Sequence, residues 1–171
     1  MSPGTAVTGF PPGKVSGGTI HAGDATATAA QAAAHTAYAN LVAQPCGTNL
    51  TGKTLGTSPG AATLSPGVYC FNTSAQLTGT LTLNGSGVYV FKMGTTLTTA
   101  SNSSVVLAKG ATAGNVFWQV GSSATLGTNS VLIGSILANI SDTVTTGTSV
   151  TGRVFALTGA VTLASARVAR P

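Results

Sequence analysis

The stretch Gly87-Val88-Tyr89-Val90-Phe91 is followed about ten residues later by Leu97-Thr98-Thr99-Ala100-Ser101-Asn102, and both legs recur along the chain. The apolar first leg begins at five glycines, which lie 20, 27, 20 and 18 residues apart: Gly67, Gly87, Gly114, Gly134 and Gly152. Short β legs that repeat with a period near 20 residues are typical of a β-solenoid, in which each coil contributes one strand to each of a few parallel sheets.

Alternation within the second leg indicates two faces. In Leu77-Thr78-Gly79-Thr80-Leu81 the leucines point to one side and the threonines to the other, as in a strand with one buried face. Coils of about 20 residues suit a triangular section with roughly six or seven residues per side. We therefore predict a mainly β fold, a parallel β-solenoid of triangular section. A β-sandwich is the competing fold, but it does not explain a repeat that stays in phase.

One segment has helical character. Asp24 is a good N-cap, the alanine-rich run over residues 25–43 follows it, and Pro45 ends it. Alanine side chains let a helix approach a neighbouring element closely, so we expect one long α-helix packed alongside the solenoid. Its larger anchors are Tyr38, Leu41 and Val42.

Charge is scarce in this chain. Only 5% of the 171 residues are charged, against about a quarter in a typical soluble domain. The net charge is +5, but the seven lysines and arginines are scattered singly, which argues against nucleic-acid binding.

No apolar run reaches the length of about 18 residues that a membrane span needs. The length is that of one domain, which we place over residues 1–171.

Stacking the second legs in register aligns their outward positions into a ladder of small, uncharged side chains. Neighbouring strands lie about 4.8 Å apart and alternate residues on a strand about 6.6 Å apart, so the ladder is a flat grid of hydroxyl and methyl groups. Such a grid suits a sheet of ordered water, because methyl groups constrain the waters above them and hydroxyls anchor those waters. The polar outward positions in this phase are Thr78, Thr80, Thr98, Asn102, Thr125, Asn129, Thr145, Ser149 and Thr162.

Two alternatives stay open for this ladder. In the other phase of the alternation Thr99, Thr146 and Thr148 face outward instead. Threonine is also a good strand former on exposed faces, so the ladder can be plain surface without a partner. A structural or adhesive extracellular solenoid is therefore the second functional hypothesis.

Catalysis and metal binding find little support in the sequence. Glycoside hydrolysis commonly uses two carboxylates a few ångströms apart, and the chain has only Asp24, explained as an N-cap, and Asp142. A calcium site needs several oxygen ligands, typically including carboxylates, and His21 and His35 are too few and separated for a zinc site. We predict no enzymatic activity, no metal and no cofactor.

Cys46 and Cys70 allow two interpretations. They are either two reduced core thiols or one disulfide that closes a loop of about two dozen residues and stabilises the fold by around 3 kcal/mol. A disulfide implies an oxidising compartment. We favour the disulfide and with it a secreted or extracellular location, although no secretory signal follows Met1.

Several of these stretches together resemble the bacterial and fungal ice-binding, or antifreeze, proteins that have an irregular β-solenoid and a long helix alongside. The resemblance covers nearly the whole chain. It implies a right-handed solenoid with one flat face that adsorbs to ice and inhibits its growth without a cofactor. The segments that carry it are Ser2–Phe10 with Pro11-Pro12-Gly13, Ala37–Leu41, Leu64–Tyr69, Gly87–Phe91, Asn115–Gly121 and Gly159–Leu163.

The ice-binding motif of that family resembles Thr-Ala/Gly-x-Thr/Asn. Thr99–Asn102 fits it fully, and Thr146–Ser149 fits it with serine last. Leu126–Asn129 lacks the first threonine, and Leu163–Ala166 has lost both polar ends. The motif falls on the same legs that the alternation selects. Together the predicted ice-binding residues are Thr78, Thr80, Thr98, Thr99, Asn102, Thr125, Thr128, Asn129, Thr145, Thr146, Ser149 and Thr162.

The resemblance also carries expectations about the ends of the chain. Family members usually begin with further strands ahead of Ser2, so N-terminal strands are expected to be missing, and the repeated coils to occupy residues 64–171. Their absence would leave an exposed sheet edge, through which an otherwise monomeric protein can self-associate. The expected partner is ice or ordered water, with no nucleic acid and no membrane.

Overall fold

A computed structural model describes residues 3–171 of the protein. Ser2, the first residue of one segment that carries the resemblance, lies outside the described residues. Helix α1 runs over Ala25–Ala43, which are the predicted bounds. Asp24 caps it as expected, because its carboxylate accepts a hydrogen bond of 2.8 Å from the backbone N–H of Ala27.

Eighteen short strands follow the helix along the chain. A single 3-10 turn over Ala113–Asn115 interrupts their sequence. In chain order the strands are β1 Thr48–Asn49, β2 Thr54–Leu55, β3 Thr63–Leu64, β4 Gly67–Phe71, β5 Ala75–Leu77, β6 Thr80–Asn84, β7 Tyr89–Met93, β8 Leu97–Thr99, β9 Ser104–Ala108, β10 Val116–Val120, β11 Ala124–Leu126, β12 Val131–Ile133, β13 Ser135–Ala138, β14 Asp142–Val144, β15 Ser149–Thr151, β16 Val154–Ala156, β17 Val161–Leu163 and β18 Arg167–Ala169.

The strands form three parallel sheets of six strands each. Sheet A holds β1, β4, β7, β10, β13 and β16, sheet B holds β2, β5, β8, β11, β14 and β17, and sheet C holds β3, β6, β9, β12, β15 and β18. Each coil passes once through sheets A, B and C, so six coils stack into a parallel β-solenoid, and the predicted fold class is confirmed. The first coil begins at Thr48 and not at residue 64, because its two-residue strands carry no glycine-led apolar leg.

An aromatic stack in sheet A links successive coils. Tyr69, Phe91 and Trp118 occupy one register position on β4, β7 and β10 and are buried in the core. Their ring centroids lie 5.5 Å and 4.1 Å apart in stacked geometry, and the Trp118 indole N–H donates to the Ile133 carbonyl at 2.9 Å. Ile136 follows at the same position on β13, so aromatic side chains give way to aliphatic ones toward the last coil.

Helix α1 covers the outer face of sheet A. Leu41 is buried against Val90 and Leu137 of that sheet. The Gln119 side-chain amide on β10 donates to the Tyr38 hydroxyl at 3.0 Å. Val42, expected as a third anchor, is instead 47% exposed. With sheet A covered, sheets B and C are the two that keep outer faces open to solvent.

The two ends of the solenoid differ. At the first coil Leu50, Leu55 and Ala61 are buried, and Ala61, in the loop between β2 and β3, belongs to the core cluster. At the last coil Leu163 of β17 and Val168 of β18 keep inward register positions, yet they are 43% and 39% exposed. The core is therefore closed at its first coil and open at its last.

Cys46 and Cys70 form a disulfide with a Cα–Cα distance of 5.9 Å. The bond joins the segment just after α1 to β4 of sheet A. Nearby, the Lys92 ammonium group on β7 donates to the carbonyl oxygens of Val42 and Gln44 at the C-terminal end of the helix. The end of α1 is thus held on the sheet by one covalent bond and by one cation placed at the negative end of the helix dipole.

We predict that the double variant Cys46→Ser/Cys70→Ser loses about 3 kcal/mol of unfolding free energy, because the disulfide closes a loop of sequence separation 24. For a chain of 171 residues this corresponds to a fall in Tm of about 10 °C, measured by differential scanning calorimetry. Wild-type protein under reductant is the control and should melt with the variant. An unchanged Tm in the variant would contradict the prediction.

Asp142 places a carboxyl group in the core. It begins β14, shares an inward register position with Ala124 and Val161, and is 1% exposed. Neither carboxylate oxygen has a hydrogen-bond partner among residues 3–171. Burial raises the pKa of Asp142 to about 7, because the charged form is poorly solvated there. The group therefore stays neutral in the folded protein at pH values where an exposed aspartate is ionised.

This burial predicts a pH-dependent stability. Between about pH 4 and pH 7 the folded state keeps the Asp142 proton that the unfolded state, with the ordinary pKa of 3.8, releases. The free energy of unfolding should therefore fall as pH rises through this window, by about 4 kcal/mol in total. Urea unfolding at several pH values measures it.

Asp142→Asn should remove that fall, because the amide does not titrate. Asp24→Asn is the matched control. Asp24 is exposed and its pKa is lowered by the backbone N–H of Ala27, so its contribution runs the opposite way and its loss leaves the fall in place. A wild-type protein equally stable at both ends of the window would refute the burial argument.

Candidate functional site

The outer face of sheet B carries a row of threonines, which we call the central rank. Strand pairing aligns its members at one position on six successive strands. Along each strand they alternate with inward residues, as Thr98 does between buried Leu97 and Thr99. Neighbouring members are separated by the strand spacing of about 4.8 Å. The central rank is Thr54, Gln76, Thr98, Thr125, Thr143 and Thr162.

Two further ranks flank the central one, two residues before and two residues after it. Backbone hydrogen bonds continue the ladder at both, as from Ala100 N–H to the Leu77 carbonyl at 2.8 Å and from Leu97 N–H to the Ser123 carbonyl at 3.2 Å. None of these residues is charged. The preceding rank is Ser74, Thr96, Ser123, Ser141 and Ala160, and the following rank is Gly56, Thr78, Ala100, Gly127, Thr145 and Ala164. The three ranks together are the sheet B face.

The side chains of the following rank project less far from the sheet than those of the central rank, because the backbone beneath them is tightly packed. A Cβ added at Gly127 would clash with the Thr99 carbonyl oxygen of the neighbouring coil. Thr145, next in the rank, is half-buried and donates its hydroxyl to the Leu126 carbonyl at 2.7 Å. Its hydroxyl is therefore used within the fold, and the central rank forms the crest of the sheet B face.

Thr99 and Thr148 lie inside the fold. Thr99 is 3% exposed, and its hydroxyl donates to Ser130 Oγ at 3.2 Å and accepts from the Gly127 N–H at 2.9 Å. Thr148 is 1% exposed and donates to the Gly127 carbonyl at 2.9 Å. The alternative phase of the alternation, in which Thr99 and Thr148 face outward, is therefore wrong for both residues. The prediction that Thr99 contacts ice is corrected, because its hydroxyl satisfies polar groups at the corner between sheets B and C.

That corner carries four of the predicted residues. Asn102 and Asn129 adopt positive φ angles of 60° and 56°, which asparagine tolerates better than most residues. Thr128, just before Asn129, and Thr146 on the next coil are exposed. These four side chains border the sheet B face at the corner and do not belong to its flat part.

Thr80 and Ser149 belong to another sheet. Thr80 begins β6 and Ser149 begins β15, and both strands lie in sheet C. Thr80 Oγ1 lies 3.1 Å from Ser104 Oγ of the next coil on that sheet. Their predicted placement on one face with Thr98 is wrong, because the coil turns at the corner before it reaches them. The second leg of the repeat therefore spans the corner: it begins at the end of a strand of sheet B and finishes at the start of a strand of sheet C.

The sheet B face therefore holds part of the predicted set and several residues that sequence reasoning missed. Thr143 precedes Thr145 by two residues, so the same alternation includes it. Thr54 offered no comparable signal, because its strand has two residues and precedes the recognisable repeats. Predicted and present are Thr78, Thr98, Thr125, Thr145 and Thr162, and missed are Thr54, Gln76, Thr96, Ser123, Ser141 and Thr143.

Known proteins are similar to this chain in sequence and in fold. The sequence profile of the ice-binding-like family matches residues 1–169. The chain belongs to the ice-binding-like family. An ice-binding protein of Nostoc sp. (strain HG1) is 49% identical over 173 residues, which cover 98% of this chain and 62% of that relative. One of Flavobacterium frigoris (strain PS1) is 37% identical over 106 residues, which cover 61% of this chain and 38% of the relative. This ice-binding-like chain thus spans about three fifths of the Nostoc protein.

Solved structures of ice-binding proteins have the same architecture. The ice-binding protein from the Antarctic ascomycete Antarctomyces psychrotrophicus matches with a TM-score of 0.89 and 41% identity, over 97% of this chain and 81% of that one. The ice-binding protein from an Antarctic Flavobacteriaceae bacterium matches with a TM-score of 0.81 and 35% identity, over 87% of this chain and 35% of that one.

Other kinds of site find no support in the described part of the ice-binding-like chain. Across residues 3–171 no group of three or more His, Cys, Asp or Glu side chains is placed to hold a metal ion. In the same range no helix is long and apolar enough to cross a membrane. Asp24 is engaged with His21, whose Nδ1 lies 2.6 Å from its carboxylate, and Asp142 is buried elsewhere. The sheet B face is the candidate functional surface.

Proposed function

We propose that this chain adsorbs to ice crystals through the sheet B face and thereby inhibits ice growth and recrystallisation. The central rank carries the proposal, because five of its six members are threonines at one strand spacing. The similarity of this chain to known ice-binding proteins, in sequence and in fold, supports the assignment.

The chemistry of threonine suits this task. Each side chain presents one methyl group, which water surrounds without a hydrogen bond, and one hydroxyl group, which both donates and accepts. Repeated about every 4.8 Å along the rank, these paired groups impose a regular arrangement on the waters above them. A charged group would orient the surrounding water around itself, and the sheet B face has none.

Rigidity lowers the cost of adsorption. The strands of sheet B are paired on both sides except at the ends of the stack, and threonine has few rotamers because it branches at Cβ. Below the face, Leu97 and Leu126 are buried in the core. Little conformational freedom remains to be lost when the face meets a crystal, which favours binding by a preorganised surface.

Neither of the other sheets offers such a surface. Sheet A lies under helix α1. On sheet C the outward positions include Val106 and Val131, which are 44% and 41% exposed. Strand pairing also places Arg167 in the same row as Val131. Side chains of such different size and polarity do not form a level row of hydroxyls.

The proposal makes the chain a non-catalytic protein that acts as a monomer outside the cell. The Cys46–Cys70 disulfide supports an oxidising compartment. The second candidate, a structural or adhesive module, is favoured by one observation: at the open end, no strand within residues 3–171 pairs with the outer edges of β16, β17 and β18. A protein that only assembles through that edge would show no thermal hysteresis.

We predict that Thr125→Tyr, and separately Thr98→Tyr, abolishes most thermal hysteresis and recrystallisation inhibition. A tyrosine ring stands well above the central rank and keeps neighbouring threonines away from the crystal. Thr82→Tyr makes the same change on an outward position of sheet C and is the control. Circular dichroism should be unchanged in all three variants. Full activity in both sheet B variants, or equal loss in the control, would remove the sheet B face from consideration.

Gln76 is the one member of the central rank that is not threonine. Its longer, more flexible side chain separates Thr54 from the four threonines that begin at Thr98. Ordering a glutamine costs up to about 2 kcal/mol of side-chain entropy. We predict that Gln76→Thr raises thermal hysteresis at equal protein concentration by completing a rank of six. Gln76→Lys is the contrasting variant and should lower it, and a Thr variant no more active than wild type would contradict the prediction.

A further inference from the structure

Thr99 is a polar residue at an apolar position of the core. Strand pairing aligns it with Leu77 and Leu126, and the same inward column continues to Val144. These three neighbours are buried. Packing alone would favour an apolar side chain at position 99, because a buried hydroxyl group gives up its hydrogen bonds to water. The Thr99 hydroxyl therefore needs partners inside the fold, and one of them belongs to the sheet B face.

That partner is Gly127. Its N–H donates both to the Thr99 carbonyl at 3.1 Å and to Thr99 Oγ1 at 2.9 Å, which is a three-centre hydrogen bond between neighbouring coils. From the coil on the other side, the Thr148 hydroxyl donates to the Gly127 carbonyl at 2.9 Å. Both backbone polar groups of Gly127 thus bind buried threonine hydroxyls, one from each neighbouring coil. We call these two contacts the Gly127 clamp.

The Gly127 clamp lies directly under the sheet B face. Gly127 belongs to the following rank and comes two residues after Thr125 of the central rank. An added Cβ at Gly127 would clash with the Thr99 carbonyl oxygen and would lie 2.8 Å from the carbonyl carbon of Ala100. Because Thr99 and Thr148 are both buried, their hydroxyls bind this backbone from the inner side of the sheet. The clamp therefore opposes any outward movement of Gly127.

A related contact supports the neighbouring member of the following rank. Ser103 is 1% exposed, and its hydroxyl donates to the carbonyl of Ala100 at 2.7 Å. Ser103, Ser130 and Thr148 are buried at equivalent positions of three successive coils, each just before a strand of sheet C. Buried hydroxyl groups thus recur beneath the two smallest side chains in the middle of the sheet B face, those of Ala100 and Gly127.

We propose that Thr99 and Thr148 are positioning residues for ice binding, which act through Gly127 and do not touch ice. This inference rests on the function proposed above. A binding surface has to keep its contacting groups within about 0.5 Å of the productive geometry, and hydrogen bonds behind those groups provide that precision. An outward shift of Gly127 by about 1 Å would raise the following rank toward the level of the central rank and separate Thr125 from the crystal.

Stability alone does not explain the Gly127 clamp. Replacing both partners of a buried hydrogen bond by apolar groups of the same shape is often neutral or stabilising. Val144 shows that this column accepts valine, so the fold has an apolar solution at position 99. What the Thr99 hydroxyl adds is a contact that depends on distance and angle and so holds Gly127 in one place.

Thr99→Val tests the Gly127 clamp with the shape of the side chain retained. Thermal hysteresis at equal concentration of folded protein should fall at least about threefold, because the Gly127 N–H keeps only its longer bond to the Thr99 carbonyl. Thr99→Ser keeps the hydroxyl and should retain most of the wild-type activity. Ile136→Val, which removes one buried carbon on sheet A, is the matched control: it should lower Tm and leave hysteresis unchanged.

Amide exchange measured by NMR gives a second readout, one that a general loss of stability would not change at this site alone. In Thr99→Val the Gly127 amide should exchange at least about tenfold faster than in the wild type, whereas the Phe91 amide in sheet A should keep its rate. In Thr99→Ser the Gly127 amide should exchange as slowly as in the wild type.

The outcomes separate this inference from the proposed function. Wild-type hysteresis or unchanged Gly127 exchange in Thr99→Val overturns the inference alone, and so does an equal loss in Thr99→Ser, which would assign the effect to packing. If Thr99→Val does not fold, Thr148→Val removes the hydroxyl at the Gly127 carbonyl and decides in its place: a similar loss of hysteresis supports the inference, and full activity overturns it. A wild-type protein without any hysteresis would overturn the proposed function itself, and this inference with it.

Discussion

In-register parallel pairing is the constraint on which the rest of this structure depends. When Thr125 pairs with Thr98 on one side and Thr143 on the other, every neighbouring position on those strands is fixed as well. The ladder that lines up hydroxyl groups outside also lines up Leu97 and Leu126 with the rest of the core inside. A slip of one residue in any coil would exchange the two sides, burying threonines and exposing leucines. The order of the surface and the stability of the core therefore rest on the same hydrogen bonds.

The three sides of the solenoid divide its tasks. Sheet A supplies the aromatic stack from Tyr69 to Trp118 on its inner side and binds helix α1 on its outer side. The outer face of sheet B carries no charged side chain, and at Gly127 a tight backbone contact leaves no space even for a Cβ atom. Sheet C mixes Val131 with Arg167 in one row and has no such restriction.

Most of the fold could be predicted from the sequence, because its period and alternation report backbone geometry directly. The helix bounds follow from Asp24 and from the end of the alanine run. The candidate face was predicted only in part, because alternation holds along a strand and fails at a corner. Thr99 fits the family motif, yet its hydroxyl is turned inward to Ser130. Thr80 is two residues from Thr78 but lies beyond the corner, on sheet C. Where a coil bends is set by positive-φ residues and backbone contacts that no residue pattern reports.

Helix α1 has a mechanical consequence beyond covering sheet A. Stacked strands tend to rotate relative to one another, and in an array this rotation adds up from one strand to the next. The helix is attached at three levels along the stacking axis, through Gln31, Tyr38 and Lys92. A helix attached at several coils resists bending and twisting of the stack. A small rotation between two neighbouring coils is therefore less able to add to the rotation of the following coils. The proposed adsorption to ice would need a constant spacing along the whole sheet B face, and the attached helix helps to keep that spacing the same from the first coil to the last.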